Sequence, residues 1–187
     1  MKEIYISTDI ETDGPIPGQN SLLSIGSAAF VDFELVDTFS VNLKQLPDAE
    51  MDHRTKVEFW DKNQEAWEAC RADMQDPDRA MRYYAEWLKD VERKYNGRVV
   101  FVGYPAGFDF TFVYWYLMKY NNYSPFSFSC IDMKTLAMAI TKKPFKKCIK
   151  RNFPKHWLDS KNKHTHIALD DAIEQGEMFC KMMKDLK

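Results

Sequence analysis

Two short stretches at opposite ends of the chain carry side chains suited to chemistry. Near the start, "STDIETDG" sets Asp9 and Glu11 two residues apart; near the end, "HTHIALDDA" sets His164 and His166 ahead of the adjacent Asp170 and Asp171. In an extended strand alternate side chains share a face, so Asp9 and Glu11 point the same way. Paired carboxylates repel unless a proton or cation lies between them, and carboxylate clusters suit hard divalent ions such as Mg2+ or Mn2+. The C-terminal cluster admits three readings: a metal site, a proton-transfer site, or the polar start of a surface helix.

A further acid, Asp109, stands alone in the apolar and aromatic run "GYPAGFDFTFVYW". Burying an unpaired carboxylate costs several kcal/mol, so Asp109 needs a partner or an open cleft, unless it simply caps the helix that follows. The last helix separates the two terminal aspartates. At roughly 100° per residue, Asp170, Glu174, Glu177, Lys181 and Lys184 form a solvated stripe, while Asp171 turns toward the apolar flank of Met178 and Met182. Asp171 is therefore the expected functional acid and Asp170 the solvated one. His164, two residues further out than His166, falls in a basic loop.

In chain order, Asp9-Ile10-Glu11, Phe108-Asp109, and His166 with Asp171 five positions on resemble the DEDDh branch of the 3′–5′ exonuclease superfamily. That family carries D-x-E on its first strand, F-D in the middle of the chain and H-x-x-x-x-D near the end. The resemblance covers nearly the whole chain, with "SLLSIGSAAF" fitting the second strand and "CIDMKTLA" the strand–helix passage between the last two motifs. One local departure is Pro105-Ala106-Gly107, where the family often has a polar residue ahead of F-D.

The resemblance implies a ribonuclease H-like α/β fold, with three antiparallel strands and then parallel βα units in a mixed sheet flanked by helices. It implies two divalent metal ions, Mg2+ or Mn2+, held by Asp9, Glu11, Asp109 and Asp171, with His166 as the base that takes a proton from water. The partner it implies is single-stranded RNA or DNA with a free 3′ end, cut to nucleoside 5′-monophosphates, with RNA weakly favoured. Aromatic faces for stacking bases would come from Phe59 and Trp60, which resemble substrate-facing positions of ribonuclease-T-like members, and from Phe108 and Phe112 beside Asp109. Trp60 has core packing as its alternative. Thr12, next to Glu11, is a candidate contact to the terminal nucleotide.

Charge adds a second signal. Residues 142–164 hold nine Lys and Arg against the single acid Asp159, a net +8 that leaves −10 for the rest of a chain whose total is −2. A basic segment in an acidic protein is a candidate phosphate contact, with Lys146, Lys147 and Lys150 the residues chosen; a solvated loop is the alternative.

The elements that must position these groups follow from pattern. Segments 3–12, 21–32 and 35–44 read as an antiparallel meander, with "DGPIPGQN" as the loop between the first two. Residues 76–97 begin with Asp and Pro, end with Asn-Gly, and align Met81, Tyr84, Ala85, Leu88 and Val91 on one helical face. A strand at 98–104, a helix from about Phe108 to Lys119, a short strand at 128–132, a helix at 133–141 and a last helix from about Ala168 to Leu186 complete an α/β pattern in one domain, 1–187.

The remaining features narrow the class. Val99 to Met118 is apolar, but Gly103, Pro105, Gly107 and Asp109 interrupt it, so it reads as strand, turn and helix, with no membrane partner. Cys70, Cys130, Cys148 and Cys180 lack zinc or CxxC spacing and read as reduced core thiols of a cytoplasmic protein; the N-terminus enters a strand with no signal peptide. A homodimer is compatible with the chain. The alternatives are a DNA proofreading or repair exonuclease and, less favoured, a non-catalytic nucleic-acid-binding module of the same fold.

Overall fold

The computed structural model describes residues 2–158 and 165–186. Three strands, β1 (Lys2–Thr12), β2 (Leu22–Val31) and β3 (Glu34–Asn42), form the expected antiparallel meander. β4 (Gly97–Gly103) then pairs parallel to β1, and β5 (Cys130–Asp132) parallel to β4, in the order β3-β2-β1-β4-β5. This is the mixed ribonuclease H-like sheet, with β1 in the middle.

The alternation of β1 sorts its side chains to two layers. Ile4, Ile6 and Ile10 face a core built with α3 (Pro77–Tyr95) and α4 (Ala106–Asn121), through Met81, Leu88, Val91, Phe112 and Tyr116. The opposite face packs on α5 (Met133–Thr141) and α6 (Ala168–Asp185), through Phe30, Val102, Met178, Phe179 and Met182. Asp9 and Glu11, at odd positions, belong to the α6 face; full burial of a side chain such as Phe179 there stabilises by about 1.5–3 kcal/mol.

Helix α6 lies unusually close to the sheet because two glycines make room. A Cβ on Gly26, the residue opposite Asp9 in β2, would sit 2.1 Å from the Ala168 carbonyl carbon at the start of α6. One on Gly176 would sit 2.1 Å from the Phe30 ring. Both contacts are far inside van der Waals range, so the helix N-terminus rests directly over the strands that carry the acids.

Asp132 ties two helix starts together. Its Oδ1 caps α5 by accepting the Thr135 N–H at 2.7 Å, while its Oδ2 accepts the Ala106 N–H at 3.0 Å, at the first residue of α4. The helix carrying Asp109 is thereby set against the end of β5.

Two elements go beyond the sequence reading. Residues after the meander form α1 (His53–Glu58), capped by Asp52, and α2 (Gln64–Arg71). The basic stretch is no plain loop either: its described part makes three 3₁₀ turns, pinned by buried Cys148, Phe153 and Trp157. The Trp157 indole N–H donates to Asp185 Oδ2 at 2.7 Å, anchoring the segment to the end of α6. The rest of that stretch, including Asp159 and His164, lies outside the described residues. Among the described residues, no helix is long and apolar enough to cross a membrane.

Candidate active site

Four elements converge at the carboxyl end of β1. Asp9 and Glu11 come from the strand itself, Asp109 from the first turn of α4, Asp171 from the first turn of α6, and His166 from the segment entering α6. Glu11, Asp109 and Asp171 are buried, and Asp9 is half-buried. Atoms able to ligate a metal on Glu11, His166 and Asp171 all lie within 4.8 Å of one another.

The acids strain against each other. Loss of hydration, then the charges of Asp171 and Asp109, push the Glu11 carboxyl up to about 8. Burial likewise pushes Asp109 up to about 8, against hydrogen bonds from backbone N–H groups, including that of Ile10, which favour its ionised form. Asp9 is raised well above the ordinary carboxylate range by burial and by Asp109, Glu11 and Asp171, with Lys150 pulling the other way. An all-oxygen donor set crowded into one largely buried spot, with an imidazole within reach, fits a hard divalent cation, which would replace the protons that Asp9, Glu11 and Asp109 are inclined to retain.

His166 takes a backbone conformation unusual for a residue with a side chain, φ +56°. Its ring meets the Phe59 ring edge to face, with centroids 5.0 Å apart and planes at 89°. Phe59, at the end of α1, in turn packs edge to face on Trp60.

The structure sorts the other expected residues. Asp170 is exposed and accepts the Thr165 hydroxyl at 3.3 Å, apart from the cluster. Phe108 is 38% exposed, its ring tilted against that of Phe112 with centroids 5.2 Å apart, whereas Phe112 is 0% exposed and packs in the core. Trp60 is 2% exposed, and its indole N–H donates to the Thr12 carbonyl at 3.0 Å. Phe112 and Trp60 are thus corrected from stacking platforms to packing residues, since neither leaves a ring face open to a base. Thr12 is buried, with its hydroxyl donating to the Gly14 carbonyl at 2.9 Å. Lys146 and Lys147 line a basic hollow of about 620 Å³ with Lys143 and Arg151, while Lys150 turns into the carboxylate cleft.

That cleft, about 340 Å³, is lined by Asp9, Tyr104, Lys150, Asp171, Glu174 and Gln175. Three of these residues, Tyr104, Glu174 and Gln175, escaped the sequence reading. Glu174, placed on the solvated stripe by helix phase, instead meets Lys150 at 3.0 Å across the cleft, because the 3₁₀ turns of the basic segment cover that side of α6. Gln175 is buried, and its amide donates to Ser7 Oγ at 3.0 Å and to the Thr8 carbonyl at 3.1 Å. Its signal was present: it stands four residues after Asp171 and so shares the inward face.

Solved structures share this architecture. The nuclease domain of 3'hExo, a DEDDh family member bound to rAMP, superposes with a TM-score of 0.75 at 11% identity, covering 98% of this chain and 93% of that one. Pop2p of S. pombe, in a form with Mg2+ and Mn2+ bound, gives 0.61 at 13% identity over 96% and 82%. E. coli ExoI in complex with single-stranded DNA gives 0.60 at 15% identity, covering all of this chain and 41% of that one. Those likenesses concern the fold. With the convergent acids and histidine, and with the sequence relative that follows, the chain belongs to the DEDDh family of 3′–5′ exonucleases. That relative is Cap18 of Escherichia coli, a 3′–5′ DNA exonuclease, 33% identical over 178 residues that make up 95% of this chain and 90% of the relative. No protein-family model matches the chain.

Proposed function

We propose that this exonuclease removes nucleotides one at a time from the 3′ end of single-stranded DNA, releasing nucleoside 5′-monophosphates with the help of two divalent ions. The observation that carries the reading is the convergence of Glu11, His166 and Asp171 within 4.8 Å, beside Asp9 and Asp109. The sequence alone leaned weakly to RNA; the similarity to an enzyme named for DNA turns the choice to DNA.

Asp9, Glu11, Asp109 and Asp171 would hold the ions, which when bound supply Lewis acidity at the scissile phosphate. Everything else falls to the chain. His166 takes a proton from the attacking water as the new P–O bond forms and the bond to the 3′ oxygen breaks; the released 3′ oxygen is then protonated from solvent. Phe59 limits the freedom of the His166 ring by its edge-to-face contact. Phe108, exposed beside Asp109, stacks on a base near the terminus.

The test is incubation with 5′-labelled DNA and RNA strands in Mg2+, Mn2+ or EDTA. A ladder shortening from the 3′ end of DNA, absent in EDTA and with His166→Ala, is the expected result. Endonucleolytic fragments, or cleavage indifferent to EDTA, would refute the reading; faster RNA trimming would return the substrate choice to RNA.

A further inference from the structure

Among the described residues lining the carboxylate cleft, Lys150 is the sole cation, set with Tyr104 and Gln175 among Asp9, Asp171 and Glu174. Its ammonium lies 3.0 Å from Glu174 Oε2, with side chains 34% and 17% exposed. Ordinary surface pairs in this protein are more open; Arg54 and Glu58, for example, are 81% and 58% exposed. The placement of Lys150 is built. It lies in the second 3₁₀ turn of the basic segment, two residues after buried Cys148, whose carbonyl accepts the Tyr104 hydroxyl at 3.2 Å, so the turn is fastened to the same wall of the cleft.

An ammonium carries three N–H donors, and the bond to Glu174 uses one of them. A phosphodiester entering this cleft meets acids on most sides, and Lys150 supplies positive charge that belongs to the protein itself. We propose that Lys150, held in place by Glu174, contacts a non-bridging oxygen of the terminal phosphate, the one that departs with the 5′-mononucleotide. This role rests on the exonuclease reading above and adds to it a phosphate-binding residue drawn from outside the carboxylate–histidine set. Lys150 thereby differs from Lys146 and Lys147, which face the separate basic hollow.

Equilibrium binding of the product separates a phosphate contact from a structural one. Thymidine 5′-monophosphate and thymidine are titrated calorimetrically, in Mg2+, into wild type, Lys150→Ala and Lys150→Arg. Lys150→Ala should weaken the monophosphate about 10- to 100-fold, the scale of removing a charged hydrogen bond, and leave thymidine unchanged. Lys150→Arg should recover most of that affinity. Equal weakening of both ligands, no weakening of the monophosphate, or an arginine variant as impaired as alanine would overturn the role. A wild-type protein that fails to shorten DNA or RNA strands in Mg2+ or Mn2+ overturns the exonuclease reading itself, whereas intact trimming with unchanged monophosphate binding in Lys150→Ala overturns the lysine's role alone.

Discussion

Gln175 on α6 donates to Ser7 Oγ on β1 at 3.0 Å, and with a second bond to the Thr8 carbonyl it fastens the helix to the strand two residues before Asp9. The bond to Ser7 lies one helical turn beyond Asp171, so it sets how deeply that acid reaches toward Asp9 and Glu11. Gln175→Leu should leave Ser7 and Thr8 short of a buried partner and destabilise the fold by about 1–3 kcal/mol. It should also raise the Mg2+ concentration needed for half-maximal activity, because the acids drift apart. Thermal melts and a Mg2+ titration of rate check both; an unchanged Mg2+ requirement would confine Gln175 to stability.

The two terminal aspartates provide a contrast within one helical turn. Asp171 is buried in the cleft and Asp170 exposed beside Thr165. Asp171→Asn should abolish most turnover, whereas Asp170→Asn should cost little. His166→Ala should lower the rate by roughly 10²–10⁴, the usual scale for a general base. A rate comparison at saturating metal decides, and an inactive Asp170→Asn beside an active Asp171→Asn would reverse the assignment.

Stability without metal should fall as pH rises. An unfolded chain loses its carboxyl protons near about pH 4, whereas Glu11 and Asp109 keep theirs up to about 8 in the fold. Through that window the folded state binds more protons than the unfolded one, so its stability is fullest below the window and declines as pH climbs through it. Mg2+ should restore that stability, giving a larger rise in Tm at about pH 8 than at about pH 5. Calorimetric scans with and without Mg2+ measure this; a metal-induced rise independent of pH would count against the carboxyls as ligands.

Neutralising Lys146 and Lys147 together should reduce affinity for a single strand and flatten its salt dependence, by about 0.7 units of log–log slope for each phosphate that the variant no longer neutralises. Both line the basic hollow next to the turn that carries Lys150. Binding measured from low to moderate salt tests this, and an unchanged slope would make the hollow a solvated surface.

Much of the site was legible before any fold was known, because its chemistry is local. Alternation along β1 puts Asp9 and Glu11 on one face, and the phase of the last helix distinguishes Asp171 from Asp170. Isolation among apolar residues marks Asp109 as an acid in need of a partner, and the meander followed by βα units follows from period and punctuation. The tertiary structure decided what depends on contacts between elements distant in sequence. The burial that removes Trp60 and Phe112 from a strand's reach comes from packing against neighbouring strands and helices, which local pattern does not specify. Glu174 looks solvated by helix phase until the 3₁₀ turns around Lys150 close over it. Gly26 gives no sign in its own strand that α6 will rest against it, yet that approach brings Asp171 within reach of Glu11 and His166.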